Sequence, residues 1–292
     1  MAIWLGRSHL TGLPPALEPV AAYLISEGAS VRPLTELHLA TGALPFDVGD
    51  TFIGDLPFTR LVLRLLGVSS LVLCSYPAAL RPFLCRPLRH GPAASLFAEA
   101  PSWFLKPGVD KLLAPYPFSP GVYEAPPTDG LVWGSPPMSV RSEWRVYVLE
   151  QERIGAYRYT GDGDIDLSVA DCAIEAFRDA PAGYCLDFAL TDAGETVLLE
   201  ANDGLALANV GLAVEAHVAI HAARWAELFK GPVPVSASPL LLELAECSPG
   251  DDFSGWFRHI APLRGTDAYP AAHGLVLRLA EILVACHASE AV

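Results

Sequence analysis

The chain has 292 residues, room for one large or two ordinary domains, and its 52% hydrophobic content with a mean hydropathy of +0.34 allows a sizeable core. A net charge of −14, from 33 acids against 19 bases, excludes the basic stripe of a nucleic-acid surface, but not a nucleotide held by a few convergent cations. A membrane partner is not expected either: Arg60 and Arg64 break one apolar stretch and Arg278 and Glu281 another, well short of the roughly 18 apolar residues of a span.

The opening "MAIWLGRSHL" lacks a basic segment ahead of a long apolar core, so no secretory signal is expected. Residues 17–27 predict a helix stopped by Gly28, with a short strand after it. "TRLVLRLLG" (59–67) predicts a helix ended by Gly67, and "SLVLCSY" (70–76) a strand before Pro77. This alternation suggests a small α/β unit over residues 1–100.

"SWFLKP" (102–107) predicts another strand, and the Pro-, Gly- and Tyr-rich segment 108–130 a mobile loop. "EWRVYVLE" and "RIGAYRY" predict two strands joined by a turn at Gln151-Glu152. "DLSVADCAIEAFRDA" predicts a helix capped by Asp166 or Ser168, with Val169, Cys172, Ala173, Ala176 and Phe177 on its apolar face. "YCLDFALTDAGETVLLEAND" predicts a hairpin turning at Asp-Ala-Gly, and "VEAHVAIHAARWAELF" a helix. Residues 231–292 form a linker and an extension of unassigned role, whose helix 271–287 is apolar enough to offer a homodimer contact. The cysteines (74, 85, 172, 185, 247, 286) are widely spaced, without Cys-x-x-Cys, and read as reduced core residues of a cytoplasmic protein.

The residues with chemistry to offer sit in the middle of the chain. Asp187 lies within an apolar strand, and Glu200 and Asn202 end its hairpin partner. Residues two apart on a strand face the same way, so the three oxygen-bearing side chains can converge, a set that suits Mg²⁺. The competing reading is a plain Asn-Asp-Gly turn. Lys106 and Lys111 stand beside the Gly/Pro-rich loop, placed to neutralise phosphates, with a plain surface lysine as the competing reading for each. Arg145 shares a strand face with Glu143 and Tyr147, and Arg158 lies on the next strand. A guanidinium there suits bidentate oxyanion contacts, though a structural ion pair with Glu143 explains it as well. His217 and His221, four apart on a helix, form a metal pair only if a third ligand exists; one face of an amphipathic helix accounts for them.

Taken in order, "FLKPGVDK", "VWGSPPMSVRSEWRVYVL", "GYCLDFAL" and "VLLEANDG" resemble the ATP-grasp proteins, in particular the clade named for one arginine and two lysines. The resemblance covers roughly residues 50–229. It implies an α+β ATP-grasp fold, two subdomains gripping ATP, over residues 101–230, preceded by an α/β pre-ATP-grasp domain over 1–100. It also implies that Lys106 and Lys111 contact nucleotide phosphates, that Arg145 stands near the transferred phosphate, and that Asp187, Glu200 and Asn202 hold Mg²⁺; Glu143 and Arg158 join the nucleotide set from the strand reading above, beside Arg145. The segment 108–130 would be the flap, and "LVWGS" the hinge, with backbone groups of Val132, Trp133 and Gly134 reading the adenine edge.

The activity implied is ATP-dependent activation of a carboxylate as an acylphosphate, then its capture by an amine, with small-molecule or peptide substrates. A nucleotide-binding module without turnover and a kinase-like phosphotransferase are the alternatives. Two positions depart from the family pattern: Pro136 stands where an acid is expected after the hinge, and Cys85 stands where glycine is usual.

Overall fold

The computed structural model describes residues 2–6, 15–34, 50–56, 59, 62–63, 75–99, 103–107 and 131–228. Lys111, the expected flap, most of the expected helix 59–67 and strand 70–76, the extension 231–292, and Cys74, Cys247 and Cys286 lie outside these residues.

The chain folds as two compact units. One takes in the described residues up to Leu63, together with Trp225 onward. Strands β1 (Ala2–Gly6), β2 (Ser30–Leu34) and β3 (Thr51–Gly54) form a parallel sheet in the order β2-β1-β3. Between β1 and β2 runs helix α1 (Glu18–Ser26), begun with a proline in its first turn and burying Val20 and Leu24. Gly28 ends it as expected. Its φ of +71° lets Gly28 and Ala29 donate back to the carbonyls of Ile25 and Leu24, the paired bonds of a Schellman cap. Phe52 is fully buried against Trp225, whose indole donates to the Phe52 carbonyl at 2.6 Å.

The other unit, Ser70–Arg224, holds two antiparallel sheets. It begins well before residue 101, because a 3-10 turn over Ala78–Leu84 buries Leu80 and Leu84 in the main core of this unit. The small sheet is formed by β4 (Arg89–Pro92), β5 (Phe104–Pro107) and β6 (Leu131–Ser135), with β6 central and helix α2 (Ala93–Glu99) packed through Leu96 onto Leu105 and Val132. The large sheet is formed by β7 (Val140–Leu149), β8 (Glu152–Gly161), β9 (Gly183–Thr191) and β10 (Thr196–Asp203), in the order β10-β9-β7-β8.

Alternation splits the large sheet into two faces. Val146, Val148, Leu186, Phe188 and Leu198 point to the core under helix α3 (Leu167–Ala176). The other face carries Tyr147 and Cys185, which pack on Ile220 of helix α4 (Val214–Leu228).

Three local expectations shift. The β7–β8 turn falls at Glu150-Gln151, one residue early, with φ of +48° and +67°, the backbone of a type I′ hairpin built without glycine. Asp166 caps α3, accepting from the Ser168 amide at 2.9 Å, but the buried face is Ala170, Ala173 and Ile174; Cys172 and Ala176 are exposed. Cys85 is exposed too, so of the described cysteines only Cys185 is a core residue. The backbone at Cys85 has φ +49°, a left-handed conformation that glycine adopts without steric cost.

Candidate ATP and metal site

The hairpin β9–β10 builds the centre of the site, and its geometry depends on one extra residue. Leu198 pairs with Phe188 and Glu200 with Asp187, so Leu199 is left without a partner in the ladder. In an unbroken strand Glu200 would share the face of Leu198 and enter the apolar core. The bulge turns it to the opposite face, beside Asp187. Since Arg145 also pairs with Asp187 across β7 and β9, one row of the sheet reads Arg145, Asp187, Glu200. The next row on the same face reads Tyr147, Cys185, Asn202.

The side chains in these rows form a continuous polar network. Arg145 Nε and Nη2 each donate to Asp187 at 2.9 Å. Burial opposes the guanidinium charge, but the Asp187 hydrogen bonds outweigh it and raise the Arg145 pKa above its ordinary value. Asn202 Nδ2 donates to Asp187 Oδ2 at 2.9 Å and to Glu200 Oε1 at 3.3 Å, tying the two carboxylates together. Lys106, reaching over from β5, forms an ion pair with Glu200 Oε2 and stands 5.6 Å from the Tyr76 ring centre. Arg145 Nη1 and the Tyr147 hydroxyl both donate to the Ala208 carbonyl, at 3.1 and 2.9 Å, and pin the loop after β10.

Lys106, Asp187, Glu200 and Glu143 open onto one cavity of about 470 Å³. Its other walls are Tyr76, Arg86, Phe104, Tyr159, Leu199 and the segment from Ser135 to Met138 with Val140. Glu143 Oε2 accepts from the Tyr159 hydroxyl at 2.7 Å, and Tyr159 lies 5.8 Å below the Arg145 guanidinium. Burial, then the carboxylates of Asp187 and Glu143, push the Tyr159 pKa up, so it remains a donor.

Arg145 and Asn202 do not line the cavity; they stand behind Asp187 and Glu200 and hold them. Arg158 lies elsewhere: it packs over Trp144 at 5.9 Å and pairs with Asp162 at 3.2 Å on the outer side of the hairpin. The backbone of Val132, Trp133 and Gly134 is committed to β4 on one side and β5 on the other. The first segment free of that ladder is Pro136–Met138, and it is this segment that reaches the cavity. The histidines 217 and 221 are buried against the Leu207 carbonyl and each other, among described residues that include no cluster of three His, Cys, Asp or Glu side chains fit for a metal. Asp203 closes β10 as a turn residue, bidentate with Arg224 and accepting from the Leu205 amide. Gly204 is required there because a Cβ would lie 2.2 Å from the Gly183 carbonyl.

The donor set suits Mg²⁺. The carboxylates of Asp187 and Glu200 face the cavity together, and Mg²⁺ typically takes one or two carboxylates and fills its remaining positions with water and phosphate oxygens; Asn202, expected as a third ligand, instead turns its amide nitrogen to both carboxylates. Tyr76, Arg86 and Tyr159 were not singled out from the sequence, where nothing local marks them; the fold brings them to the cavity from segments distant in the chain.

No curated protein matches the sequence. Among solved structures, N5-carboxyaminoimidazole synthetase from Staphylococcus aureus aligns with 80% of this chain and 79% of its own, at 10% identity and a TM-score of 0.50. A RimK domain ATP-grasp protein from Sphaerobacter thermophilus aligns with 79% of this chain and 100% of its own, at 15% identity and a TM-score of 0.47. The D-cycloserine synthetase DcsG aligns with 78% of this chain and 100% of its own, at 15% identity and a TM-score of 0.48. Residues 83–220 match the model of an ATP-grasp domain family, the second family of the clade named for one arginine and two lysines. This segment contains both antiparallel sheets, the bulged hairpin and nearly all of the cavity wall, and over it the chain is similar to the ATP-grasp domains of that one-arginine, two-lysine clade.

Proposed function

We propose that the protein is an Mg²⁺-dependent, ATP-consuming ligase that activates a carboxylate as an acylphosphate and joins it to an amine, releasing ADP. The observation that carries this reading is the meeting of Lys106, Asp187 and Glu200 on the wall of one cavity within an ATP-grasp domain. ATP supplies the phosphoryl group, and Mg²⁺ neutralises the charge that builds on it. Lys106 offers an ammonium to phosphate oxygens once Glu200 turns to the metal. Asp187 and Glu200 are the carboxylate ligands, with the Asn202 amide bracing both. Arg145 holds Asp187 in place and presents positive charge to the same region. Phe104, Leu199 and Met138 supply apolar surface for the base, and Pro136 and Pro137 stiffen the segment beside it. Lys111 belongs to the phosphate set by resemblance. The substrates are a small-molecule or peptide carboxylate and an amine.

A second reading, a nucleotide-binding module without turnover, draws on Pro136: it stands on the cavity wall where a ribose- or adenine-binding acid is expected. Incubation with ATP, Mg²⁺ and pools of carboxylates and amines separates the readings. ADP and phosphate release that needs both a carboxylate and an amine supports the ligase. Tight ATP binding without turnover supports the module, and a stable phosphorylated product supports a kinase. Glu200→Ala is expected to remove Mg²⁺-dependent ATP use with the fold intact; unchanged turnover would sink the metal assignment.

A further inference from the structure

The bulge that turns Glu200 toward Asp187 sits on β10, which among the described strands is the edge of the large sheet. A bulge at an edge is held by nothing intrinsic to the ladder, since its extra residue is unpaired. Here that edge is covered by the segment Ser75–Arg86. The Ser75 carbonyl accepts from the Ala201 amide at 2.9 Å, on the far side of the bulge. From the other end of the segment, Arg86 Nη1 donates to the Leu198 carbonyl at 2.7 Å and Nη2 to the Leu199 carbonyl at 3.0 Å. Arg86 Nη1 also donates to the nearby Leu84 carbonyl at 3.1 Å, which fixes the side chain to the turn it leaves.

We infer that Arg86 is a positioning residue for the metal edge: its guanidinium spans the carbonyls of Leu198 and Leu199 and locks the bulge in the register that points Glu200 at Asp187. This rests on the reading of Asp187 and Glu200 as metal ligands, but the clamp itself is a statement about the backbone. Arginine suits the task because its fork reaches two adjacent acceptors at once, which an ammonium on a single point cannot do. Its partners are carbonyls and the Tyr76 phenol rather than a carboxylate, so the cation is spent on geometry. Without it, the strand can slip by one residue, and a slip returns Glu200 to the side of Leu198.

Two measurements on Arg86→Ala and Arg86→Lys test the inference. Native-state amide exchange reads the clamp alone. The amides of Glu200 and Ala201 are expected to exchange at least about tenfold faster in both variants, with Phe188 on β9 unchanged. Unchanged exchange at Glu200 and Ala201 overturns the clamp. Calorimetric titration with ADP, with and without Mn²⁺, reads its consequence. In the wild type Mn²⁺ is expected to tighten ADP binding, and Glu200→Ala to abolish that gain. Arg86→Ala should lose about tenfold of the Mn²⁺-dependent gain while metal-free ADP binding falls less than about twofold. Equal losses with and without metal overturn a positioning role in favour of direct ligand contact. A wild type that binds ADP with no metal effect sinks the metal reading and leaves the exchange result to decide the clamp. Should Arg86→Ala fail to fold, Arg86→Lys carries both measurements.

Discussion

Arg145 and Asp187 meet through two parallel hydrogen bonds of 2.9 Å across neighbouring strands, with 15% and 4% of their side-chain surfaces exposed. The same carboxylate is expected to serve a cation, so its orientation is set before any ligand arrives. Removing one partner of a shielded pair leaves an uncompensated charge. Arg145→Met is therefore expected to cost about 3–5 kcal/mol of folding stability. Asp187→Asn should cost a similar amount, and the double variant clearly less than the sum, since the two share one interaction. Urea denaturation of the four proteins measures this; strictly additive losses would show that the pair is not coupled.

The resting ion pair between Lys106 and Glu200 leads to a second expectation. In the proposed function the lysine serves phosphate and the carboxylate serves metal, yet here each is paired with the other. Mg²⁺ drawing Glu200 away frees Lys106 for ATP, and ATP drawing Lys106 away frees Glu200 for Mg²⁺. Binding of the two should be mutually favourable, by a factor within the usual range of about 5–150. Calorimetry of ATP at rising Mg²⁺ gives that factor. In Glu200→Gln the lysine is released at the start, so metal-free ATP should bind at least as tightly as in the wild type and the Mg²⁺ gain should shrink. Equal Mg²⁺ gain in both proteins would rule out the exchange of partners.

Much of this site is legible in the sequence because it rests on local rules. The Asp-Ala-Gly turn sets the β9–β10 hairpin, and alternation places Glu200 and Asn202 on one face. The bulge at Leu199 is invisible to that reasoning: "TVLLEAND" carries no glycine or other mark of it, and only the pairing register shows why an apolar strand can end in oxygen-bearing side chains. Arg86 is hidden for a different reason, since its partners lie 112 and 113 residues away. The pairing of Val132, Trp133 and Gly134 with strands on both sides is likewise not marked in the sequence, because a long intervening segment, 108–130, separates them from both β4 and β5 along the chain. Helical periodicity alone places Cys172 inward, but the interior under α3 is set by where Leu80 and Tyr184 sit, and the helix turns Ala170 and Ile174 toward them instead.

The turn at Glu150-Gln151 places two side-chain-bearing residues at positive φ. Both are exposed and the turn geometry prefers Asn-Gly. Replacing them as Glu150→Asn with Gln151→Gly relieves that strain and should stabilise the unit by about 1 kcal/mol, less the entropy that glycine adds to the unfolded chain. Gln151 Nε2 also donates to the Phe177 carbonyl at 3.2 Å, an exposed bond whose loss offsets part of the gain. A midpoint of denaturation no higher than that of the wild type would mean that this bond outweighs the backbone term.

His221 and His217 make stability depend on pH. Burial, and then the neighbouring His217, hold the His221 pKa down at about 3, and burial lowers that of His217 as well. His217 Nε2 donates to the Leu207 carbonyl at 2.9 Å, and the Nδ1 atoms of both rings are buried without a partner among the described residues. Both rings are therefore neutral in the folded protein, whereas in the unfolded chain they titrate near 6.5. Protons then bind the unfolded state more strongly, so the contribution is fully present above about pH 6.5 and is lost as pH falls toward the folded value. Between about pH 6.5 and pH 5 His221 alone should account for a loss of about 2 kcal/mol, at about 1.4 kcal/mol per pH unit. His221→Leu removes the titrating ring and the orphaned nitrogen together, so its stability should fall less steeply over the same interval, whatever its stability near neutral pH. Urea denaturation of both proteins at about pH 7.5, 6.0 and 5.0 measures the two slopes, and parallel slopes would assign the acid sensitivity to other groups.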